Sequence, residues 1–386
     1  MKRSFETAAD RQAANIPPRH RATVIAAITL SLGSGMAAAD PSVQLFGIID
    51  VGVLTQSRAT ADGKSQTQMA TSGLRQSVWG IRGSEDLGGG LKASFNLESH
   101  FDTNNGELHP TGDAAGHGVI LFRRQANVGL SGDWGSLTLG RQYGPALLAH
   151  IGTEPRAFKE QFSNLYAWAY NQLEATFGAT TNRNTNNDVG IFFNNALQYR
   201  NTLGPVTFGL LYSLGGVPGS LSKNSAYAMG VAYNGPVTVS GSYQEMKDQS
   251  SGKAVVKHMG LGLAVPYEAF TFKTNYLNAK NYESVSGDEV SRIESYSLGM
   301  DWKWHPSNSM TIAYYDNKDK LNRADATKNW VLSNDYSFSK RTTLYAQLAH
   351  VDAKAGATIK TSIVAAGVPA QNANTTLLNV GLNHTW

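Results

Sequence analysis

Thr375-Thr376-Leu377-Leu378-Asn379-Val380-Gly381-Leu382-Asn383-His384-Thr385-Trp386 closes the chain. In it Leu378, Val380, Leu382, His384 and Trp386 alternate with Asn379, Gly381, Asn383 and Thr385, and the last residue is aromatic. Successive side chains of an extended strand point to opposite faces, so the segment has one oily side and one polar side. A soluble sheet can contain one such strand. Here the alternation recurs through most of the chain, with no continuous apolar run among the strands. That is the pattern of a transmembrane β-barrel, whose lipid and lumen faces alternate residue by residue.

The N-terminus carries an export address. Arg19 and Arg21 precede an apolar run over 22–32, followed by small residues and Ala37-Ala38-Ala39 before Asp40. This arrangement predicts a secretory signal peptide cleaved after residue 39, with the barrel over 40–386. The apolar run is well short of the ~20 residues a membrane-spanning helix needs. The stretch 1–20 ahead of it is long for a signal, which leaves the initiating codon open.

Removing 1–39 takes away five basic residues (Lys2, Arg3, Arg11, Arg19, Arg21) and two acidic ones (Glu6, Asp10), leaving 28 against 27. A nearly neutral mature chain implies no nucleic-acid partner. The absence of cysteine excludes a disulfide framework, a thiol nucleophile and a thiolate metal site. A hydrophobic content of 41% is too low for a helical membrane protein, but suits a barrel in which half of each strand faces water. No Pro-rich or Gly/Ser-rich linker divides the chain.

Sixteen strands are expected, near 43–54, 74–83, 91–101, 119–131, 135–142, 194–201, 205–213, 225–234, 236–246, 256–265, 269–279, 292–304, 308–318, 327–338, 342–352 and 375–386. Short turn-forming connections, such as Asn234-Gly235-Pro236 and His305-Pro306-Ser307-Asn308, alternate with long polar ones, as at 56–72, 102–118 and 352–374. Short loops on one rim and long loops on the other, with Trp302, Trp304, Tyr336, Phe338 and Trp386 near strand ends, fit a barrel seated between two membrane interfaces. An even count of this size leaves an aqueous channel.

Several motifs carry a closer likeness. They are Phe46-Gly47-Ile48-Ile49-Asp50, the run 80–93 through Gly88-Gly89-Gly90, Arg124-Gln125-Ala126, Val128-Gly129-Leu130-Ser131-Gly132, Leu139-Gly140-Arg141-Gln142-Tyr143, the run 339–346 and the closing Val380-Gly381-Leu382-Asn383-His384-Thr385-Trp386. Together they resemble the general-diffusion trimeric porins of Gram-negative outer membranes, in the form common in β-proteobacteria. The resemblance spans the mature chain. It implies an all-β, 16-stranded antiparallel transmembrane β-barrel with an inward-folded third long loop, assembled as a homotrimer. It further implies outer-membrane lipid, lipopolysaccharide and the barrel-assembly machinery as partners, and small hydrophilic solutes and ions as cargo. No cofactor, metal or catalytic residue is implied.

The third long loop would run over about 144–193, far beyond ordinary connection lengths, which by itself points to a functional role. Phe158, Phe162, Leu165, Trp168 or Ala169, and Leu173 recur at three or four residues and predict a short amphipathic helix whose apolar face packs on the inner wall. In such channels loop carboxylates face wall cations across the constriction. Strand parity, counted from Trp79 and Ile81 as lipid-facing, puts Arg82 and Lys92 in the lumen with Glu98 and His100; Arg124, Arg141 and Arg200 join them as pore-lining cations. Glu154, Glu160 and Glu174 are the loop acids, with Arg156 and Lys159 interleaved, and the sum leans toward a mild preference for anions. Two departures stand out. Ile48 and Val78 occupy positions where relatives often carry cations, and the loop has aromatics where relatives have an acidic, Gly-rich tip. Trp386, on one face with Val380 and Leu382, is expected to be the strand signal for membrane insertion.

Two other classes compete. A barrel-borne hydrolase would need serine, histidine and a carboxylate in register, yet His100, His258, His305, His350 and His384 are dispersed. A substrate-specific channel would use the aromatic loop as a stacking surface for sugars or aromatic acids.

Overall fold

The structure is a computed structural model that describes residues 42–60, 62–109, 119–170, 184–359, 361 and 373–386. The expected signal segment 1–39, Leu173 and Glu174 lie outside the described residues.

Eighteen strands form one antiparallel sheet: β1 (Ser42–Gln56), β2 (Gln66–Thr71), β3 (Val78–Gly88), β4 (Leu91–His100), β5 (Gln125–Gly132), β6 (Gly135–Tyr143), β7 (Asn187–Asp188), β8 (Phe192–Leu203), β9 (Val206–Ser213), β10 (Ala226–Asn234), β11 (Thr238–Lys247), β12 (Ala254–Tyr267), β13 (Phe270–Tyr282), β14 (Glu289–His305), β15 (Asn308–Asp319), β16 (Ala326–Ser337), β17 (Thr342–Ala353) and β18 (Ala373–Thr385). β2 and β3 pair with successive halves of β1, so they are one wall strand broken at 72–77. β7 is a two-residue return at the base of the long loop. The wall therefore has the sixteen strands the alternation predicts. It closes where β18 pairs with the free edge of β1, from Ile48 opposite Thr385 to Gln56 opposite Leu377. Closure leaves no unpaired strand edge, the condition for placing a sheet in hydrocarbon.

The side chains are distributed inside out. On β17, Tyr345, Gln347, Ala349 and Val351 are buried while Leu344, Leu348 and His350 between them are exposed. Val53, Leu210, Met229, Val231, Leu261, Leu298, Ile312, Leu332, Leu348, Val380 and Leu382 form the outer face. Asp50, Gln198, Gln244, Asn275, Ser295, Asn317, Asn329, Ser333, Gln347 and Asn379 are buried within. An apolar exterior around a polar interior is stable only with lipid outside and water inside.

The seven short connections, among them 204–205, 268–269 and 306–307, share one rim with both ends of the sheet; the long loops share the other. Outward-facing rings cluster beside the short rim, with Phe270 stacked on Trp302 at 5.9 Å and Tyr336 edge-on to Phe338 at 5.0 Å. A second belt lies toward the long loops, where Tyr276 meets Tyr296 at 4.9 Å and Tyr314 meets Trp330 at 4.6 Å. Amphipathic rings favour the two headgroup levels.

Two expected strands start later than the alternation places them. The strand near 119–131 begins at Gln125, because Arg123 is drawn to Asp188 and Arg124 to Glu98. The strand near 74–83 begins at Val78, because 72–77 leaves the wall.

Candidate functional site, the channel constriction

The long loop leaves the wall after β6 and returns before β8, its base tied by Gly144 N–H donating to the Ile191 carbonyl at 2.8 Å. Its first element is a short helix, α1 (Pro145–His150), which begins with proline at its first position, where no backbone donor is missed. The loop lies against the lumenal wall along a track of glycines. A methyl group on Gly209, Gly230, Gly260, Gly262 or Gly299 would come within 2.7 Å of Pro145, 2.0 Å of the Pro145 carbonyl, 2.3 Å of His150, 2.2 Å of Thr153 or 2.5 Å of Pro155. Only a hydrogen atom in place of a side chain leaves room for the loop, so these wall positions demand glycine.

Polar anchors fix the loop on this track. His150 is fully buried and its two ring nitrogens meet the hydroxyls of Ser240 and Ser242, each at 2.8 Å. Burial pulls its pKa down to about 4, so the ring is neutral near neutral pH. Asn164 Nδ2 donates to Asn275 Oδ1 at 2.8 Å and Asn379 Nδ2 to Gln161 Oε1 at 2.8 Å.

Phe158, Phe162, Leu165, Trp168 and Ala169 do pack on the inner wall, but not as the expected helix. Phe162 enters a cluster with Leu54, Ala70, Tyr315 and Val331; Phe158, Leu165, Tyr166 and Trp168 enter another with Phe192, Leu277 and Ala279. Ala157, Phe158 and Phe162 have φ between 52° and 62°, which interrupts any helix there; among the described residues of this stretch one π-helical turn, Tyr166–Tyr170, forms. These aromatic faces are spent on packing. Trp168 is 1% exposed and Tyr166 and Phe162 are fully buried, so among the described residues the loop offers no stacking surface to a solute.

Glu154 does not face the channel. It is fully buried, accepting from the Arg156 and Phe158 backbone N–H groups at 2.7 and 2.8 Å and from the Tyr315 hydroxyl at 2.8 Å. Its work is to clamp the loop's tightest turn to β15. Glu160 does reach the lumen, where it accepts from the Tyr166 hydroxyl at 2.9 Å and Gln76 Nε2 at 3.4 Å. Burial raises its pKa against the pull of Arg124.

Opposite the loop, the break at 72–77 folds inward around one carboxylate. Asp50 accepts from the backbone N–H groups of Gly73, Leu74 and Arg75 at 2.8, 2.9 and 3.0 Å, from the Tyr345 hydroxyl at 2.8 Å and from Asn383 Nδ2 at 2.9 Å. Gln347 Nε2 holds the Gly73 carbonyl at 3.1 Å, and the Glu160 N–H donates to the Leu74 carbonyl at 3.2 Å. Loop and strand break thus meet inside the barrel. Arg75, exposed, points from the break into the space between them.

That space is a cavity of about 510 Å³. Among the described residues Arg75, Arg124, Arg156, Lys159, Lys303, Lys340 and Arg341 line it, against two acids, Glu160 and Asp335. Asp335 is already paired with Lys159 at 2.6 Å. Burial lowers the Lys159 pKa, with Asp335 working the other way. Arg156 is 1% exposed; its Nη1 donates to the Gln161 carbonyl, while Nε and Nη2 have no protein partner.

Of the expected wall cations, Arg124 stands in this cavity, bonded to Glu98 and the Tyr143 hydroxyl with its guanidinium 5.3 Å from the Tyr143 ring centre. Arg82 lies on the lumenal face nearer the short rim, donating to Gln44 at 2.9 and 3.1 Å over the Phe46 ring. Lys92 is exposed close to the turn that joins β3 and β4, opposite Asp86. Arg200 is exposed beside α1, where it lines a small recess with Pro145 and Ala149. Arg141 is corrected: it does not line the channel. β6 bulges at Gly140, where φ is 115°, and the Arg141 guanidinium turns to Asp188 at 2.6 Å and Asn194 at 2.5 Å, leaving it 8% exposed.

Residues 22–356 match the family model described as Gram-negative porin. The chain belongs to that family. This porin is 30% identical over 380 residues to outer membrane porin protein 32 of Delftia acidovorans, with 93% of this chain and 98% of the relative covered. It is 28% identical to an outer membrane porin protein of Bordetella pertussis, covering 84% of this chain and 92% of the relative. Among solved structures it superposes on the anion-selective porin from Comamonas acidovorans with a TM-score of 0.74 and 27% identity, over 90% of this chain and all of that one. It is therefore a channel of the Gram-negative outer membrane, open to passive diffusion of small solutes and narrowed by its long third loop.

Arg75, Lys303, Lys340 and Arg341 escaped the sequence reading. Lys303 has a strand-parity signal, since it shares the lumenal parity of Asp301, Gly299 and Ser297 on β14. Lys340 and Arg341 sit in a turn, where parity says nothing. Arg75 depends on the break at 72–77, whose trace in the sequence is Ser72-Gly73.

Proposed function

We propose that this porin favours anions and that the selectivity arises in the 510 Å³ cavity between the long loop and the 72–77 break. The observation that carries the reading is the imbalance of its lining among the described residues, seven cations against two acids, with Lys159 paired to Asp335 and Arg124 to Glu98. Permeating ions respond mainly to charges within about 8–10 Å at moderate salt, so this ring outweighs the near-zero net charge of the chain. Arg156, 1% exposed behind the cavity wall with two guanidinium nitrogens unpartnered, adds its positive charge at short range, and Arg75 presents its own directly. The anion-selective character named for the Comamonas acidovorans structure points the same way.

On this reading the working form is a homotrimer exported by the 1–39 signal, inserted by the barrel-assembly machinery and surrounded by lipid and lipopolysaccharide. It carries solutes and not chemistry. His150, whose ring meets serine hydroxyls, has no carboxylate among its hydrogen-bond partners to complete a nucleophilic triad.

Replacing Arg75 and Arg156 together with glutamine tests the assignment in a planar bilayer. The zero-current potential in a salt gradient should move toward cation selectivity, most strongly at low ionic strength. An unmoved potential with intact barrel would place the selective charges elsewhere.

A further inference from the structure

Beyond the constriction, the first turn after β4 gathers a second group of side chains. Phe101 bridges Leu108, the Asp102 N–H donates to the Glu107 carbonyl at 2.8 Å, and the His109 N–H donates to the His100 carbonyl at 3.0 Å. This small hairpin sets His109 across from His100, and the extended i, i+2 spacing brings Asp102 to the same side as His100. One potential ligand atom from each of the three lies within 4.8 Å of the others. His109 Nδ1 is 2.8 Å from Asp102 Oδ1, and the two imidazoles stack with centres 4.2 Å apart. His100 is 3% exposed and its Nε2 has no hydrogen-bond partner. A buried imidazole nitrogen left unsatisfied is costly, and a ligand is one of the few things that explains it.

We propose that His100, Asp102 and His109 bind a divalent first-row transition cation on the lumenal wall, between the constriction and the long-loop rim. Two imidazole nitrogens and one carboxylate oxygen suit Zn²⁺, Cu²⁺ or Ni²⁺, which take such ligands at about 2.0–2.2 Å. His109 is the partly exposed member; it turns out of its stack so that both rings aim a lone pair at one ion, with water completing the shell. Asp102 contributes the negative charge that neutral imidazoles lack. Arg123 and Arg124 are the nearest cations, and each has a carboxylate beside it, Asp188 and Glu98, that offsets part of its charge. The hairpin's backbone bonds hold the three positions before the ion arrives, which reduces the ordering cost of binding. The site is independent of ion preference at the constriction.

The test uses the full chain folded in detergent, without an affinity tag, titrated with Zn²⁺ by calorimetry and with Cu²⁺ by electron paramagnetic resonance. One Zn²⁺ per chain is expected, with Cu²⁺ showing hyperfine structure from two imidazole nitrogens. His109→Ala and Asp102→Asn should each raise Kd by at least about tenfold, and His100→Ala should do the same where heat-modifiable mobility shows a folded barrel. His109 lies on the open side of the hairpin, so its variant keeps the test informative even when His100→Ala fails to fold. Absence of saturable binding would overturn the proposal. So would unchanged affinity in His109→Ala, or binding that disappears only when the exposed His305, His350 and His384 are replaced.

Discussion

Asp50 shows how much of this channel's inner shape can rest on one side chain. Its carboxylate collects three consecutive backbone donors and two side-chain donors, from positions up to 333 residues away along the chain. Asp50→Asn would set an amide N–H₂ against N–H donors of 73–75, a mismatch worth about 1–3 kcal/mol for a buried group. The barrel should still fold, since its ladder is untouched, while the break that carries Arg75 loosens. Single-channel recordings should then show more open-channel noise than the parent; equally quiet traces would mean that Asp50 is not what steadies the break. In the sequence Asp50 is visible only as part of a motif, because its partners become neighbours only when β1, β17 and β18 close the barrel. Glu154 misled for a related reason. A loop acid reads as a pore acid until the backbone turn it clamps is known.

At the scale of elements, the strands were readable and the loop was not. Strand boundaries followed from a period of two that lipid on one side and water on the other enforce along every wall segment. The loop obeys no such period. Its apolar residues recur at helical spacing, yet within that stretch Ala157, Phe158 and Phe162 adopt positive φ and the chain follows the wall instead of its own axis. What shapes that path is the glycine track on β9, β10, β12 and β14, which looks in sequence like scattered glycine. Gly230 is its tightest point, so Gly230→Val should push α1 off the wall while leaving the outer face of β10 unchanged. A changed single-channel conductance with normal heat-modifiability is the expected result. Conductance identical to the parent would mean that the loop does not rest on this groove.

At the scale of the molecule, closure is the decisive step, and the last residue takes part in it. The Trp386 N–H donates to the Gly47 carbonyl at 3.1 Å, and the indole covers Gly47 so closely that a methyl group there would come within 2.1 Å of the ring. The signature strand β18 thus completes the barrel against β1 and displays Leu378, Val380 and Leu382 to lipid. Deleting Trp386 should leave protease-sensitive chain in the periplasm; normal amounts of heat-modifiable protein in the outer membrane would show that the insertion signal lies elsewhere. Most of this level was legible, because alternation, loop lengths and the aromatic end are all properties of the linear chain. The lining of the cavity was only partly legible: Arg124 and Glu160, both singled out in the sequence, line it, but Arg75, Lys303, Lys340 and Arg341 converge only in the folded barrel. On the proposed reading, a cationic ring between loop and strand break governs passage. Its most direct measurement is the zero-current potential of the unmodified channel in a planar bilayer under a potassium chloride gradient. The potential should carry the sign of chloride preference and grow as ionic strength falls. A potential of the potassium sign, or one at zero throughout, would contradict it.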